Sequence, residues 1–319
     1  MSTEHPALFV VGCGRSGTTL LRSMLDAHPE LAIPGESHFL RRMLRLRRRY
    51  EHGSQFDLER YVADLSRDVR FRRWVADPEP LIERIRAGRP LSLADAVRAT
   101  FGAYARSQDK IRWGDKTPDY VTMMPAISEL LPEARFVHLI RDGRAVAASL
   151  AHQSWGPSRI DTAALHWVDR VTTGRRGGLT LGPDRYLEMR YEALLETPES
   201  ALRQICAFVE LDFDRAVLDR QASVERAARQ VLATGSHLRL AQPLDVAEPL
   251  ETWNTLSLHD QAMALGVAGG LLDEMGYLPG GCSLQSPSVR RRARRHARLE
   301  ATRRLPVRVR AAASLIRRN

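Results

Sequence analysis

Lysine is nearly missing from this chain. Of its 48 basic residues only Lys110 and Lys116 are lysines, leaving 46 arginines. In such a background each lysine raises the question of what a compact ammonium does that a planar guanidinium does not. Long apolar runs are missing as well: no stretch of about 18 hydrophobic residues occurs, so no membrane-spanning helix is expected. The opening MSTEHPALFVVG lacks the basic start and small-residue cleavage site of a secretory signal, and a cytoplasmic protein is expected. Cysteine is scarce and odd in number. Cys13, Cys206 and Cys282 lie far apart without metal-site spacing, which argues against a disulfide framework and for free thiols in a reducing compartment.

What the chain does have is length, a core and an uneven charge. Its 319 residues with 44% hydrophobic content suffice for one large α/β domain or two small ones. The net charge of +10 is not spread evenly. Residues 288–319 hold twelve arginines against one glutamate, a local +11, so residues 1–287 carry −1. The basicity belongs to a C-terminal tail, and a nearly neutral body is not expected to bind a specific nucleic acid.

ALFVV (7–11) is a short continuous apolar run ending in glycine, the pattern of a buried parallel strand. Leucines and Met24 at helical spacing follow over 18–27, stopped by His28-Pro29. LAIPGES (31–37) reads as a short second strand running into a loop. Residues 38–107 show helical periodicity broken by Gly53, Pro78, Pro80, Gly88 and Pro90, hence a helical insertion. Further strands are expected at 111–118, 134–140 and 186–191, and helices at 119–131, 198–210 and 257–275. Alternating strands and helices predict an α/β fold with a P-loop-like central parallel sheet flanked by helices.

The loop GCGRSGTT carries the first chemical signal. Gly12 and Gly17 match the glycines of G-x-x-x-x-G-K-[ST] and Thr19 its Ser/Thr, but Thr18 stands where the lysine should be. Backbone N–H groups and the following helix N-terminus bind an anion without that lysine, and Arg15 adds a forked cation inside the loop. The bland alternative is a glycine turn joining strand to helix. The second signal is FVHLIRDGR (136–144), where Arg141, not a magnesium-binding aspartate, follows the apolar strand; Ser149 comes eight residues later. Two anion sites without an obvious metal carboxylate suit a nucleotide bearing separate phosphate groups. A helix-capping Arg–Asp pair is the alternative on that segment alone.

LFVVGCGRSGTTLLRSMLDAHPELAIPGES and FVHLIRDGRAVAASL resemble the 5′-phosphosulfate and 3′-phosphate motifs of sulfotransferases that use 3′-phosphoadenosine 5′-phosphosulfate (PAPS). RSGTTLLRSMLDAHPE, GDKTP, RYEALLETPE and LLDEMGYLP are most similar to the protein-tyrosine sulfotransferase branch, and the likeness runs from residue 8 to about 279 outside most of 38–107. The resemblance implies that Arg15, Ser16, Gly17, Thr18 and Thr19 hold the 5′-phosphosulfate, that Arg141 and Ser149 hold the 3′-phosphate, and that Tyr191 lies near the nucleotide. It implies Glu36 as the base that takes the acceptor's proton, with His38 the rival, and Lys116 with Arg15 as charge stabilisers. The alternative for Lys116 is a surface pair with Asp115 or Asp119. No metal is required, and PAPS has no β- or γ-phosphate for a P-loop lysine to grip.

The pattern has departures. Thr252 precedes Trp253 where the tyrosine-sulfating enzymes have a lysine, with His237 or Arg239 as substitutes, and Phe39 stands where they have an arginine. Trp253 itself reads more readily as core than as a ligand stack. The expected acceptor is therefore a hydroxyl of a carbohydrate, glycolipid or other metabolite ahead of peptide tyrosine. Residues 1–287 are expected to form the sulfotransferase-like domain, with 38–107 on the acceptor side. The tail 288–319 is expected to be disordered or an amphipathic helix, which on anionic lipid would place the protein at the inner membrane surface. Competing functions are a P-loop kinase, against which the absent Walker lysine and aspartate count, and a non-catalytic nucleotide- or nucleic-acid-binding protein.

Overall fold

The computed structural model describes residues 5–53, 55–219, 252–278 and 286–304. Contacts divide the chain into two compact units, Met1–Ile140 with Val171–Val246, and Arg141–Arg170 with Ala247–Asn319. The composition boundary at 287/288 is not where this division falls: the basic segment belongs to the second unit.

The first unit starts with β1 (Ala7–Gly12), every residue of it buried, as a continuous apolar run requires of a central strand. α1 (Thr18–Leu25) follows, then β2 (Leu31–Ala32). β2 is short and runs into a loop, as expected of LAIPGES, because Pro34 has no N–H to donate to a ladder. Instead the Ile33 amide donates to Asp26 Oδ1 at 2.8 Å and its carbonyl accepts from Arg22 Nε at 2.7 Å. The insertion comprises α2 (Phe39–Arg45), α3 (Arg47–Tyr50), a hairpin of β3 (Glu51–His52) and β4 (Gln55–Phe56), α4 (Leu58–Ser66), α5 (Glu79–Ala87) and α6 (Leu93–Ser107). Its helices begin where the sequence supplies caps: Asp57 accepts from the Arg60 amide and Ser92 from the Asp95 amide.

β5 (Arg112–Lys116) leads through a 3₁₀ turn, Pro118–Thr122, into α7 (Met124–Leu130) and β6 (Ala134–Ile140). The single helix expected over 119–131 is thus two pieces, because Pro125 opens a new first turn. After α8 (Gly143–Ala151) and the long α9 (Ile160–Leu181) come β7 (Tyr186–Arg190), α10 (Tyr191–Glu196) and α11 (Pro198–Phe208). The five main strands are ordered β2-β5-β1-β6-β7, and every pairing is parallel. β1 is central, with Val10 opposite Lys116 of β5 on one side and Gly12 opposite Leu139 of β6 on the other. Connections from β1 and β6 leave in opposite directions, the topology that opens a crevice at the carboxyl ends of the strands.

An aromatic cluster joins the insertion to the sheet. Trp113 of β5 stacks on Phe101 at 4.8 Å between centroids and meets Phe9 of β1 edge-on, while Phe39 packs against Trp74 and Phe101. Phe39 is therefore a core residue, which accounts for its departure from the arginine pattern.

The second unit contains α8, the first half of α9, a 3₁₀ turn at Thr252–Thr255, α12 (Leu258–Glu274) and α13 (Pro287–Arg304). α13 has an inward stripe. Ala293 is buried, and Val289 lies so close to Gly266 that a methyl group there would meet it at 3.1 Å. His296 Nδ1 sits 2.9 Å from Asp161 Oδ2, and Glu300 accepts from Ser158 Oγ at 2.7 Å. The basic segment is thus helical to Arg304, with Val289, Ala293 and His296 on its packed side; 305–319 lie outside the described residues, as do Cys282, His237 and Arg239. Cys13 and Cys206 are both buried. No helix among the described residues is long and apolar enough to cross a membrane.

Candidate functional site

The β1–α1 loop is built around two glycines with different jobs. Gly12 lets β6 approach, since a Cβ there would stand 2.5 Å from the Leu139 carbonyl oxygen. Gly17, at φ +89°, turns the chain into α1, and a Cβ on it would lie 2.2 Å from two ring atoms of Tyr191. Tyr191, the first residue of α10, is thereby brought against the loop. Arg15 also adopts a left-handed backbone, φ 73°. Such non-glycine positions cost roughly 1–3 kcal/mol and gather where function over-determines the backbone. No side chain caps α1, and Ser16 Oγ is buried without a hydrogen-bond partner among the described residues. An uncapped helix N-terminus beside an orphaned hydroxyl fits an anionic group such as the 5′ end of PAPS.

Lys116 ends β5, opposite Val10 of β1. Its side chain is 6% exposed, and its Nζ donates to Glu36 Oε1 at 2.7 Å and to Thr19 Oγ1 at 3.3 Å. Its ion-pair partner is thus Glu36, 80 residues away in the chain. The other oxygen of Glu36, Oε2, lies 2.9 Å from His38 Nε2. Both suggested bases thus share one hydrogen bond, and His38 holds a left-handed backbone at φ 50°. The other lysine has a purely structural setting: Lys110 Nζ donates to the carbonyls of Asp26 at 2.6 Å and Leu31 at 3.0 Å, tying the end of α1 to β2.

Arg141 and Ser149 lie in the second unit. Arg141 directly follows β6 in the chain, is 9% exposed, and its carbonyl accepts from Trp167 Nε1 at 3.1 Å. Asp142 caps α8 by accepting from the Arg144 amide, and Ser149 lies half-buried near the end of that helix. Arg144 forks onto Asp142 and lies 3.9 Å over the ring of Trp253. That stack occupies a face of the tryptophan with a protein cation, a role not read from the sequence. The side chain of Thr252 lies outside the described residues. The structure therefore brings Thr19, Glu36, His38 and Lys116 into one hydrogen-bonded group and sets Tyr191 against Gly17.

Sequence reading missed Asp115. It is fully buried, burial raises its carboxyl to about 7, and Oδ1 has no hydrogen-bond partner among the described residues. Its only signal was position, next to Lys116. His138 was missed for the same reason: burial, then the Arg175 charge, lower its imidazole to about 3. No cluster of metal-ligating side chains occurs among the described residues.

Comparison with known proteins agrees with this geometry. The profile described as Sulfotransferase family matches residues 6–215. A protein-tyrosine sulfotransferase of Drosophila melanogaster is 27% identical over 292 residues, covering 86% of this chain, which spans only 52% of that protein. Nodulation protein NoeE of Sinorhizobium fredii is 28% identical over 296 residues, covering 84% of this chain and 65% of its own length. Among solved structures, the sulfotransferase domain of the Synechococcus PCC 7002 olefin synthase superposes with a TM-score of 0.52 at 25% identity, over 81% of this chain and 92% of that one. The sulfotransferase domain from the curacin biosynthetic pathway shares the fold, at TM-score 0.54 and 21% identity over 85% and 98%.

Proposed function

The chain belongs to the sulfotransferase family, and from that premise we propose that it transfers the sulfonate group of PAPS to a hydroxyl of a carbohydrate, glycolipid or other metabolite. The observation that carries the reading is the Glu36–Lys116–Thr19 group at the carboxyl edge of β5, beside the uncapped N-terminus of α1. PAPS would supply an activated sulfonate on a phosphate leaving group. The loop 12–19 binds the 5′ end through backbone N–H groups, Ser16 and Arg15. Lys116 stabilises negative charge that grows on the bridging oxygen during transfer, a contribution larger in the transition state than in the ground state. Glu36 takes the proton of the attacking hydroxyl once Lys116 turns from it to the nucleotide. Arg141 and Ser149 are assigned to the 3′-phosphate. Peptide tyrosine is the less favoured acceptor because Phe39, in place of an arginine, is spent on the aromatic core.

The test is calorimetry with adenosine 3′,5′-bisphosphate against AMP and ATP. Binding that needs the 3′-phosphate and weakens at least tenfold in Arg141→Ala is expected; indifference to that phosphate sinks the reading. Glu36→Gln should bind the bisphosphate normally and lose about 10²–10⁴-fold in transfer. The acceptor is found by offering labelled PAPS with a panel of sugars, glycolipids and tyrosine peptides, and transfer only to the peptides overturns the acceptor preference.

We infer a membrane-surface location from α13. Its inward stripe leaves Arg291, Arg295 and Arg298 exposed on the opposite side, a face suited to anionic lipid. Reversing these three charges should abolish sedimentation with phosphatidylserine vesicles, and equal binding to neutral vesicles rules the idea out.

A further inference from the structure

The residues flanking Glu36 and Lys116 form one connected chain of hydrogen bonds. The Leu40 amide donates to Tyr120 Oη at 3.1 Å, and that hydroxyl shares a hydrogen bond with Ser37 Oγ, 2.8 Å away. Ser37 Oγ lies 3.4 Å from Thr117 Oγ1, and the Ser37 amide donates to that same oxygen at 3.0 Å. Thr117 Oγ1 donates to Asp115 Oδ2 at 3.2 Å. The Leu40 amide anchors the Tyr120 end, the Ser37 amide donates to Thr117, and the Asp115 carboxyl closes the other end by accepting from Thr117.

The covalent connections matter as much as the hydrogen bonds. Ser37 is one peptide bond from Glu36, and Lys116 lies between Asp115 and Thr117. The relay therefore clamps the two backbone segments whose side chains meet at 2.7 Å in the Glu36–Lys116 pair. Alternation along β5 sends Asp115 and Lys116 to opposite faces of the sheet, so Asp115 acts on the pair through the backbone and through its charge. Its buried position is costly for a carboxyl group unless that group has a structural or chemical task.

We propose that Asp115 is the positioning residue of this site: it terminates a hydrogen-bond relay from the Leu40 amide through Tyr120, Ser37 and Thr117, and thereby holds Glu36 against Lys116. The proposal deepens the transferase reading and rests on it for its catalytic consequence; the relay itself does not. A one-ångström displacement of a base is enough to cost on the order of 10²-fold in rate. The pH dependence follows from the same geometry. Burial raises the Asp115 carboxyl to about 7, against hydrogen bonds from Ser37 and Thr117 and the Lys116 charge, with Glu36 pushing it further up. Tyr120, whose own ionisation is pushed well above its usual range, stays neutral throughout, and His38 lies beside its ring. Above about pH 7 the relay ends on a charge; below it, on a neutral acid.

The experiment measures amide hydrogen exchange at Ser37 and Leu40, together with turnover of PAPS with water as acceptor, in the full-length protein. Asp115→Ala is expected to speed exchange of both amides at least tenfold and to lower kcat about 10–100-fold, with KM for PAPS unchanged within about twofold. Asp115→Asn, which keeps an acceptor oxygen, should recover most of that loss. Protection of the two amides should fall as pH rises from about 4 to 7 in the wild type, because the closed relay binds the Asp115 proton more tightly than the opened one, and should lose that dependence in Asp115→Asn. If Asp115→Ala does not fold, Thr117→Val removes the last donor and should give the same exchange pattern. Wild-type exchange in either variant, or a flat wild-type pH profile, overturns the proposal. If the wild type neither binds adenosine 3′,5′-bisphosphate nor consumes PAPS, the transferase reading fails, while the exchange data still decide the relay.

Discussion

Replacing Gly17 by alanine tests the geometry of the anion loop at one atom. Gly17 has φ 89° and ψ 8°, a left-handed conformation that costs an ordinary residue about 1–2 kcal/mol. The added Cβ would also stand 2.2 Å from two ring carbons of Tyr191 and 3.2 Å from a third. Tyr191 is 4% exposed, so its ring has little room to retreat. Overpacking of this kind costs about 1–3 kcal/mol, and together the two effects predict a loss of about 2–5 kcal/mol. A double-mutant cycle separates them. In a Tyr191→Ala background the ring is gone and only the backbone cost of about 1–2 kcal/mol should remain, leaving a coupling of about 1–3 kcal/mol. Urea unfolding of the four proteins reads this directly. Equal costs of Gly17→Ala in both backgrounds would refute the contact, and a cost near zero in the wild type would refute the conformation as well.

Further expectations concern the buried ionisable groups. Asp115, raised from 3.8 to about 7, binds its proton more tightly folded than unfolded, so its contribution to stability falls as pH rises from about 4 to 7, by roughly 4 kcal/mol in all. His138, lowered from 6.5 to about 3, has the opposite sign: its contribution is present above about 6.5 and is lost as pH falls toward 3, by roughly 5 kcal/mol. The two nearly offset each other between pH 4 and 6.5. Asp115→Asn should therefore unmask a steep rise of stability with pH in that window, and urea midpoints that stay parallel to the wild type contradict it. Arg144→Ala should cost about 2–3 kcal/mol and alter Trp253 fluorescence, because it removes both the fork on Asp142 and the cation over the ring. Arg144→Lys, which keeps the charge without the fork, should recover less than half of that loss in thermal melts.

What the sequence determined by itself is what neighbours along the chain encode. ALFVV ending in Gly12, the RSGTT turn and the leucines after it specify strand, loop and helix through burial period and backbone freedom. β1, α1, β5, β6, β7, α11 and α12 were accordingly legible to within a few residues, as was the scarcity that singled out Lys116. Tertiary structure decided which charges meet. Glu36 and Lys116 are 80 positions apart, and their contact exists because β5 seats its Lys116 opposite Val10 of β1. The relay ending on Asp115 was invisible for the same reason: Ser37, Thr117 and Tyr120 are ordinary loop residues until the sheet buries them together and denies them water. The arginine count of the tail was plain from its composition, but which arginines face outward was settled only when Val289, Ala293 and His296 found neighbours to pack against. Local propensity is written in adjacent residues, whereas desolvation and charge pairing belong to surfaces that form only when distant segments come together.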